Sequence, residues 1–468
     1  MNPVRGSTKA GNSGGNRASN GVKKVRVRFP PSPTGYCHVG TARMALLNYL
    51  FAKKNGGDIV FRIEDTDRAR STKEFEDDIV DSISWIGLAW DEFYRQSERT
   101  SIYVEALQKL IAEDKAYVSE EESKKEPGTM VKVVRLRNPG TSITFTDIVR
   151  GNITFDTKEL GDFAIARAID DPLYHLTVVV DDASMHITHV IRGEEHISNT
   201  PRQILIQEAL GYERPQYAHY PLFLGSDRSK LSKRKGDVAV REYRNKGYLP
   251  QALLNYIGTL GWTPPSGKEL LTLSEMIDEF DLKDLHKSGA VFDMEKLNWY
   301  NRMYLSQMRE DDFNDEALRV LEEAIAAKGI SWNENTAHKL VPLIRERISV
   351  WEDLRVQVRE GEYDFFFIDP PLDLPRIAEK KSTPAGATTH LLTLLEFLEP
   401  LASFSEQSVK DAIWPYAAQS GRGAVLWPFR YALTGRDTSP DPFIVASIIG
   451  KETSLRRVRA AIQLLEVL

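Results

Sequence analysis

The hydrophobic pattern of this chain changes character once, near residue 238, and that change limits the fold more than any other feature. Before it, short apolar runs of strand length alternate with longer runs of helical length. After it, every periodic segment reads at the helical spacing. Residues 25–29 alternate as a strand, broken by Pro30, Pro31 and Pro33. From Thr41 a dense apolar run through Met44, Leu46, Leu47, Leu50 and Phe51 reads as a buried helix that ends at Gly56-Gly57. Residues 58–63 form a second strand. Ser71 and Glu74 then predict a capping box opening a helix that buries Phe75, Ile79, Ile83 and Ile86 and stops at Gly87. Strand, helix, strand, helix is the opening of a doubly wound α/β sheet.

The pattern is interrupted from 92 to 171. After one helix at 103–111, strands are predicted at 131–136, 143–149 and 152–156, which reads as an insertion in the sheet domain. The alternation resumes with a strand at 186–192. A helix follows, with Thr200, Pro201 and Gln203 as cap, first-turn proline and capping-box partner, and then a strand at 220–224. Helices are predicted at 249–260, 273–280, 315–327, 337–354, 388–398 and 454–467, with Pro- and Gly-rich joints at 263–267 and 370–375. The expected architecture is a doubly wound, Rossmann-like α/β catalytic domain in two halves, 25–95 and 172–237. An α+β domain is inserted at 96–171. An all-α region follows as 238–315, 316–382 and 383–468.

Composition removes several function classes. No apolar run approaches the roughly 20 residues that span a bilayer as a helix, so no membrane role is expected. The net charge of −6 shows no global nucleic-acid signature, although a local basic face is enough. Cys37 is the single cysteine, which rules out an internal disulfide or a thiolate-rich zinc site and suggests a reducing compartment. Its expected role is that of a small buried thiol. Residues 1–24 carry five cations and no acid among Gly, Ser and Asn, the composition of a disordered tail, with a basic arm touching RNA as the alternative.

Two segments carry phosphate chemistry. Pro31-Ser32-Pro33-Thr34-Gly35-Tyr36-Cys37-His38-Val39-Gly40-Thr41 leaves the first strand and enters the first helix, the crevice where a doubly wound sheet binds nucleotides. Backbone N–H groups at a helix start attract phosphate, Gly40 admits a close approach, and His38 can donate to a phosphoryl oxygen. Taken alone, this could equally be a proline-rich loop with an incidental histidine. Lys230-Leu231-Ser232-Lys233-Arg234-Lys235-Gly236 follows the last strand, with four cations within six positions. It could close on a triphosphate, or simply be a solvated basic run.

Together the two resemble the signatures of class I aminoacyl-tRNA synthetases, His38-Val39-Gly40-Thr41 first and Lys230-Leu231-Ser232-Lys233-Arg234 second. Thr41, where the wider class often has a second histidine, resembles the glutamate branch. So do Arg62-Ile63-Glu64-Asp65-Thr66-Asp67-Arg68, Tyr174-His175-Leu176, Val180-Asp181-Asp182 and Val190-Ile191-Arg192-Gly193-Glu194-Glu195-His196. The resemblance is to the bacterial glutamyl enzymes and runs from about Val25 to the C-terminus, most specific up to Gly236.

The resemblance implies ATP as substrate, bound by His38, Gly40, Thr41, Lys230, Leu231, Ser232 and Lys233, with His38, Lys230 and Lys233 acting on the phosphates and Mg²⁺ arriving with the nucleotide. Glutamate has one cation and two carboxylates to satisfy. Arg28 matches the arginine that faces the side-chain carboxylate, Arg192 a second carboxylate-binding arginine, Glu64 the acid that receives the amino group, with Ser32 and Tyr174 in the same pocket. Structural ion pairs at strand ends are the alternative for Arg28 and the Glu64–Arg68 run. The family often has an amide where Val178 stands. Some bacterial relatives hold zinc in the insertion with cysteines, and this chain has none there.

The implied partner is tRNA(Glu), its acceptor end held by the insertion and its anticodon by the helical region. Arg345 or Arg347 is a plausible base contact, and Lys451, Arg456 and Arg457 form a phosphate face or plain solvated surface. A cytoplasmic monomer is expected. Three rivals stand beside it: a glutamine enzyme, expected to end in a β-barrel; a truncated relative that modifies a tRNA base; and a non-catalytic RNA-binding paralogue, against which intact His38, Lys230 and Lys233 argue. Charging of the glutamine tRNA is left open.

Overall fold

The structure is a computed structural model that describes residues 23–122, 128–229, 231, 239–378 and 383–467. The second signature, Lys230 and residues 232–238, therefore lies outside the described residues apart from Leu231, and so does the tail up to residue 22. Two compact units are present. One comprises the described residues up to Val240 together with Ile257–Phe292, the other Arg241–Tyr256 with Asp293 onward. The segment expected as 238–315 is thus shared between them.

The main strands of the first unit are β1 (Arg26–Phe29), β2 (Asp58–Ile63), β3 (Glu92–Arg95), β4 (Ala116–Glu122), β5 (Met130–Leu136), β6 (Ser142–Asp147), β7 (Gly151–Asp156), β8 (Phe163–Ala168), β9 (Asp171–Pro172), β10 (His189–Gly193) and β11 (Gln216–Tyr220). Its principal helices are α1 (Val39–Lys54), α2 (Lys73–Trp85), α3 (Thr100–Ala112), α4 (Tyr174–Ser184) and α5 (Thr200–Leu210). β1, β2 and β3 run parallel, as do β10, β11 and β6. The two sheets meet where Thr188 N–H donates to the Arg26 carbonyl at 2.9 Å and Arg26 N–H donates to Thr188 Oγ1 at 2.8 Å. The strand order across this unit is therefore β3-β2-β1-β10-β11-β6, with β1 and β10 at the centre, where a doubly wound sheet places its ligand crevice.

The insertion is stitched into this sheet. β6 lies beside β11, and Ile148 N–H donates to the Tyr217 carbonyl at 2.8 Å. Ala116, Val134, Ile143 and Phe145 share one apolar core with Ile204, Leu205 and Tyr217. The remaining strands, β4, β5, β8 and β9, form an antiparallel sheet of their own.

Local chemistry differs from expectation at three places. The α2 cap is Thr72, whose hydroxyl accepts from Phe75 N–H, not Ser71; Glu74 instead accepts from the Tyr36 hydroxyl at 2.5 Å. At α5 the cap is Asn199, with no side-chain bond. Thr200 sits inside the helix, where its hydroxyl donates to the His196 carbonyl at 3.0 Å. The strand expected at 220–224 is two strands, β11 and Phe223–Leu224, the second paired with Ala290–Val291. Pro221 stands between them and has no N–H to carry the ladder across.

The second unit is helical. The segment expected as one helix, 337–354, is two, Glu334–Arg347 and Trp351–Arg359, parted by Ile348 in extended conformation. Helices at Glu406–Ser420, Arg422–Thr434 and Pro442–Ile449 were not foreseen, and the first two contain Pro415 and Pro428, which interrupt a periodic reading. One core joins Phe313, Leu354 and Ile377 to Leu391, Phe429 and Val458. The expected subdomains 316–382 and 383–468 therefore share their packing, and the joint at 370–375 does not separate two cores.

Candidate active site

The carboxyl ends of the parallel strands gather the polar strings of the sequence. Ser32 follows β1, Glu64 follows β2, Gln96 follows β3, Glu194 to His196 follow β10, and Pro221 follows β11. Arg28, Arg62 and Arg192 each lie on a central strand and are at most 2% exposed. A buried cation is tolerated when it is paired and hydrogen-bonded, and these three are treated differently.

Arg62 is surrounded by acids. Nη1 donates to Asp182 at 2.8 Å, Nη2 donates to Glu64 at 3.0 Å, and Nε stands 3.7 Å from Asp181. Both aspartates come from α4, about two turns beyond Tyr174. Asp181 also accepts from Gln96, Arg99 and the Tyr103 hydroxyl at 2.8–2.9 Å. Arg28 is held more loosely, with Nε 3.4 Å from Asp182 and Nη1 donating to the Ile191 carbonyl at 3.3 Å. The structural ion pair considered for Arg28 is therefore present, in long geometry.

Arg192 makes no ion pair or hydrogen bond with an acid among the described residues. Nε donates to His219 Nε2 at 3.1 Å, Nη2 donates to Thr200 Oγ1 at 2.9 Å, and Nη1 is buried with no hydrogen-bond partner among the described residues. An unmet buried donor on an uncompensated cation costs free energy, and a substrate carboxylate would meet it. Burial lifts the Glu64 pKa above its ordinary value, against the pull of Arg62 and Arg28. Burial likewise depresses the His175 pKa to about 4, so this ring, beside Tyr174, is neutral at physiological pH.

A cleft of about 980 Å³ opens over this cluster, lined by Ser32, Glu64, Arg68, Arg167 and Tyr174 among others. A second cavity, of about 290 Å³, is lined by His38, Gly40, Thr41, Glu195, Leu222 and Leu231. Here His38 is the cap of α1, and its Nδ1 accepts from Gly40 N–H at 2.9 Å. That bond puts the proton of the neutral ring on Nε2, leaving it a donor for phosphate without a change of protonation. A Cβ at residue 40 would stand 3.2 Å from His38 Nδ1, so glycine keeps this cap compact. A third cavity, of about 900 Å³, lies at the opposite strand ends. Lys24 and Arg26 in its lining are paired with Asp58 and Glu92, and of the motif strings only Asp182 reaches it among the described residues.

Models of known families match this arrangement over nearly the whole chain. The model for the class I tRNA synthetases (E and Q), catalytic domain, matches residues 24–126 and 118–299, and one for an anticodon binding domain matches 294–462. The chain belongs to the class I glutamate and glutamine tRNA synthetases. Among its relatives, the glutamate–tRNA ligase of Hydrogenobaculum sp. is 44% identical over 73% of this chain and 81% of its own length. That of Carboxydothermus hydrogenoformans is 38% identical over 93% and 99%. A crystal structure of a glutamate tRNA ligase from Elizabethkingia meningosepticum in complex with its amino acid superposes with a TM-score of 0.81 at 32% identity. It covers 94% of this chain and 99% of that one.

The RNA-facing residues expected in the synthetase's helical unit fall into two groups. Arg345 stacks on Phe313 at 4.1 Å and has a buried Nη2 without a partner among the described residues. Arg347 lies 3.8 Å from Glu362, Lys451 donates to the Leu401 carbonyl at 2.7 Å, and exposed Arg456 pairs with Asp369. Arg457 is a correction. It is buried, donating to the carbonyls of Phe365, Leu433 and Ile368 and to Asp369 at 2.6–3.0 Å. These bonds commit it to the fold rather than to a phosphate.

Sequence reasoning missed His219 and Asp147, which hold Arg192, and Arg43, a fully buried cation on α1. Arg43 donates to the Pro221 and Leu260 carbonyls at 2.6 and 2.8 Å. A signal existed for His219: a polar side chain in the otherwise apolar run Tyr217-Ala218-His219-Tyr220. Val178 is buried in the core.

Proposed function

We propose that this chain is a glutamate–tRNA ligase whose glutamate seat is the Arg28–Glu64–Tyr174–Arg192 cluster and whose ATP seat begins at His38. The observation that carries the reading is Arg192, a buried guanidinium beside Tyr174 whose Nη1 has no hydrogen-bond partner among the described residues and which is bonded there to no acid. A dianionic amino acid supplies what this cluster lacks, while Glu64 and Ser32 take its ammonium group.

The α-carboxylate of glutamate is ionised at neutral pH, so activation needs no general base. It attacks the α-phosphorus of ATP and pyrophosphate leaves, and the protein contributes alignment and charge. His38 Nε2–H reaches a phosphoryl oxygen, with Gly40 and Thr41 at the helix start. Lys230, Leu231, Ser232 and Lys233 are assigned to the triphosphate from their motif alone. Mg²⁺ accompanies the nucleotide, held by phosphates and water. The glutamyl group then passes to the terminal adenosine of tRNA(Glu). The insertion holds the acceptor end. Arg345 and Arg347 are assigned to the anticodon, Lys451 and Arg456 to backbone phosphates. No described helix is long and apolar enough to cross a membrane, and a cytoplasmic monomer is the state we assign.

Aminoacylation by the purified chain tests the reading. Glutamate should be charged onto tRNA(Glu), and ATP–pyrophosphate exchange run with and without tRNA should depend on glutamate. Charging with glutamine alone would identify the rival branch, and absence of both reactions would identify a non-catalytic paralogue.

A further inference from the structure

Arg192 and His219 are register partners on adjacent parallel strands, so their side chains share one face of the sheet. Asp147 stands on the next strand, β6, contributed by the insertion. The three form a line. Arg192 Nε donates to His219 Nε2 at 3.1 Å, which requires a lone pair on that nitrogen. The ring proton is then on Nδ1, 2.6 Å from Asp147 Oδ2. Asp147 is an acceptor on every side, taking the backbone N–H groups of Val149 at 3.0 Å, Arg150 at 2.9 Å and His219 at 3.1 Å. An ionised carboxylate with no proton to offer permits one tautomer of His219.

We propose that Asp147 and His219 are positioning residues for glutamate: they fix the plane of Arg192 and keep its charge uncompensated for a substrate carboxylate. This rests on Arg192 being a carboxylate seat, as assigned above. Two bonds along the Nε–Nη2 edge, to His219 and Thr200, prevent the guanidinium from turning. The opposite edge, Nη1 and the second hydrogen of Nη2, is left for a bidentate carboxylate. Neutral acceptors do this without pairing the charge. An acid in place of His219 would neutralise Arg192 as Asp182 and Glu64 neutralise Arg62. The arrangement places the acid one ring away, where it orients the imidazole and does not occupy the fork. Burial and the Arg192 and Arg28 cations lower the His219 pKa against the opposing pull of Asp147, consistent with this tautomer.

The role singles out variants that a packing role does not. Asp147→Asn preserves size and the backbone acceptor. Its amide would donate to His219 Nδ1, moving the ring proton to Nε2, where it faces the Arg192 N–H. The KM for glutamate should rise about tenfold to a hundredfold, the loss of one charge-assisted hydrogen bond, with the KM for ATP and the melting temperature little changed. His219→Leu should match it. His219→Gln, whose carbonyl oxygen stands in for Nε2, should recover most of the loss. Nitrogen-15 spectra should show the Nδ1–H tautomer in the parent and Nε2–H in Asp147→Asn. The proposal is overturned if Arg192→Gln raises the glutamate KM while Asp147→Asn and His219→Leu do not. Equal increases for glutamate and ATP, with no rescue by His219→Gln, would also overturn it. If Arg192→Gln itself leaves the glutamate KM unchanged, the carboxylate seat is wrong and the positioning role falls with it, a distinguishable result.

Discussion

The two units bury charge for different ends. In the helical unit Arg457 is the buried charged side chain among the described residues, and its donors go to three carbonyls and Asp369. It is a strut, with four of its N–H groups committed to the fold. The sheet unit buries Arg28, Arg43, Arg62, Glu64, Glu76, Asp147, Asp181, Asp182 and Arg192, and distributes their partners unevenly. Arg62 is over-supplied with acids, while Arg192 has none. The contrast separates charges that hold a fold together from a charge that waits for a ligand. Burial alone does not distinguish them. Whether an acid pairs with the cation does, since Arg62 also keeps a buried Nε without a hydrogen-bond partner among the described residues.

The largest expected effect breaks the acid-rich end of this comparison. Arg62→Leu leaves Asp181, Asp182 and Glu64 without their shared cation and should destabilise the protein by about 3–5 kcal/mol, read as a fall in denaturation midpoint. Arg457→Met should cost about 3 kcal/mol by leaving three carbonyls and an aspartate unmet. Its tRNA affinity, measured well below the melting transition, should be unchanged; a selective loss of tRNA binding would return Arg457 to the RNA surface.

A smaller effect concerns Glu64. Its carboxylate must be ionised to hold the substrate ammonium, and burial raises its pKa. Affinity is therefore present above that raised pKa and is lost as pH falls through it. The glutamate KM should climb by up to about tenfold per pH unit below it, beginning above the ordinary glutamate pKa of about 4.3. In Glu64→Gln the profile should be flat at a high KM; a parent-like slope in that variant would assign the titration to another group. The smallest effect is that of Arg456→Ala, an exposed pair with Asp369, which should change stability by less than about 0.5 kcal/mol. If it contacts a phosphate, the salt dependence of tRNA binding should become shallower by about one counterion.

Much of this was legible in the sequence because it is local. Strands β1 and β2, the buried helix α1 and the break at Gly56-Gly57 follow from period and punctuation within a few residues. The motif strings carry Glu64, Tyr174 and Arg192, and the resemblance adds Arg28, as the expected site residues. The sequence does not carry the sheet order. Asp147 and His219 are 72 positions apart and meet because β6 inserts beside β11. The acids of α4 were visible as Val180-Asp181-Asp182, yet their partners come from other elements, Arg62 from β2 and Arg99 and Tyr103 from the cap and body of α3. Capping failed where two candidates were adjacent, as with Ser71 and Thr72, since spacing alone does not say which hydroxyl faces the helix.

The most direct test of the distinction between strut and seat is the melting temperature of the parent and Arg192→Gln, with and without saturating glutamate. Removing an uncompensated buried cation should leave the ligand-free melting temperature unchanged or higher, and should abolish the upward shift that glutamate gives the parent. A large fall in the ligand-free melting temperature, with the glutamate-induced shift retained, would make Arg192 a structural residue like Arg62 and contradict the account.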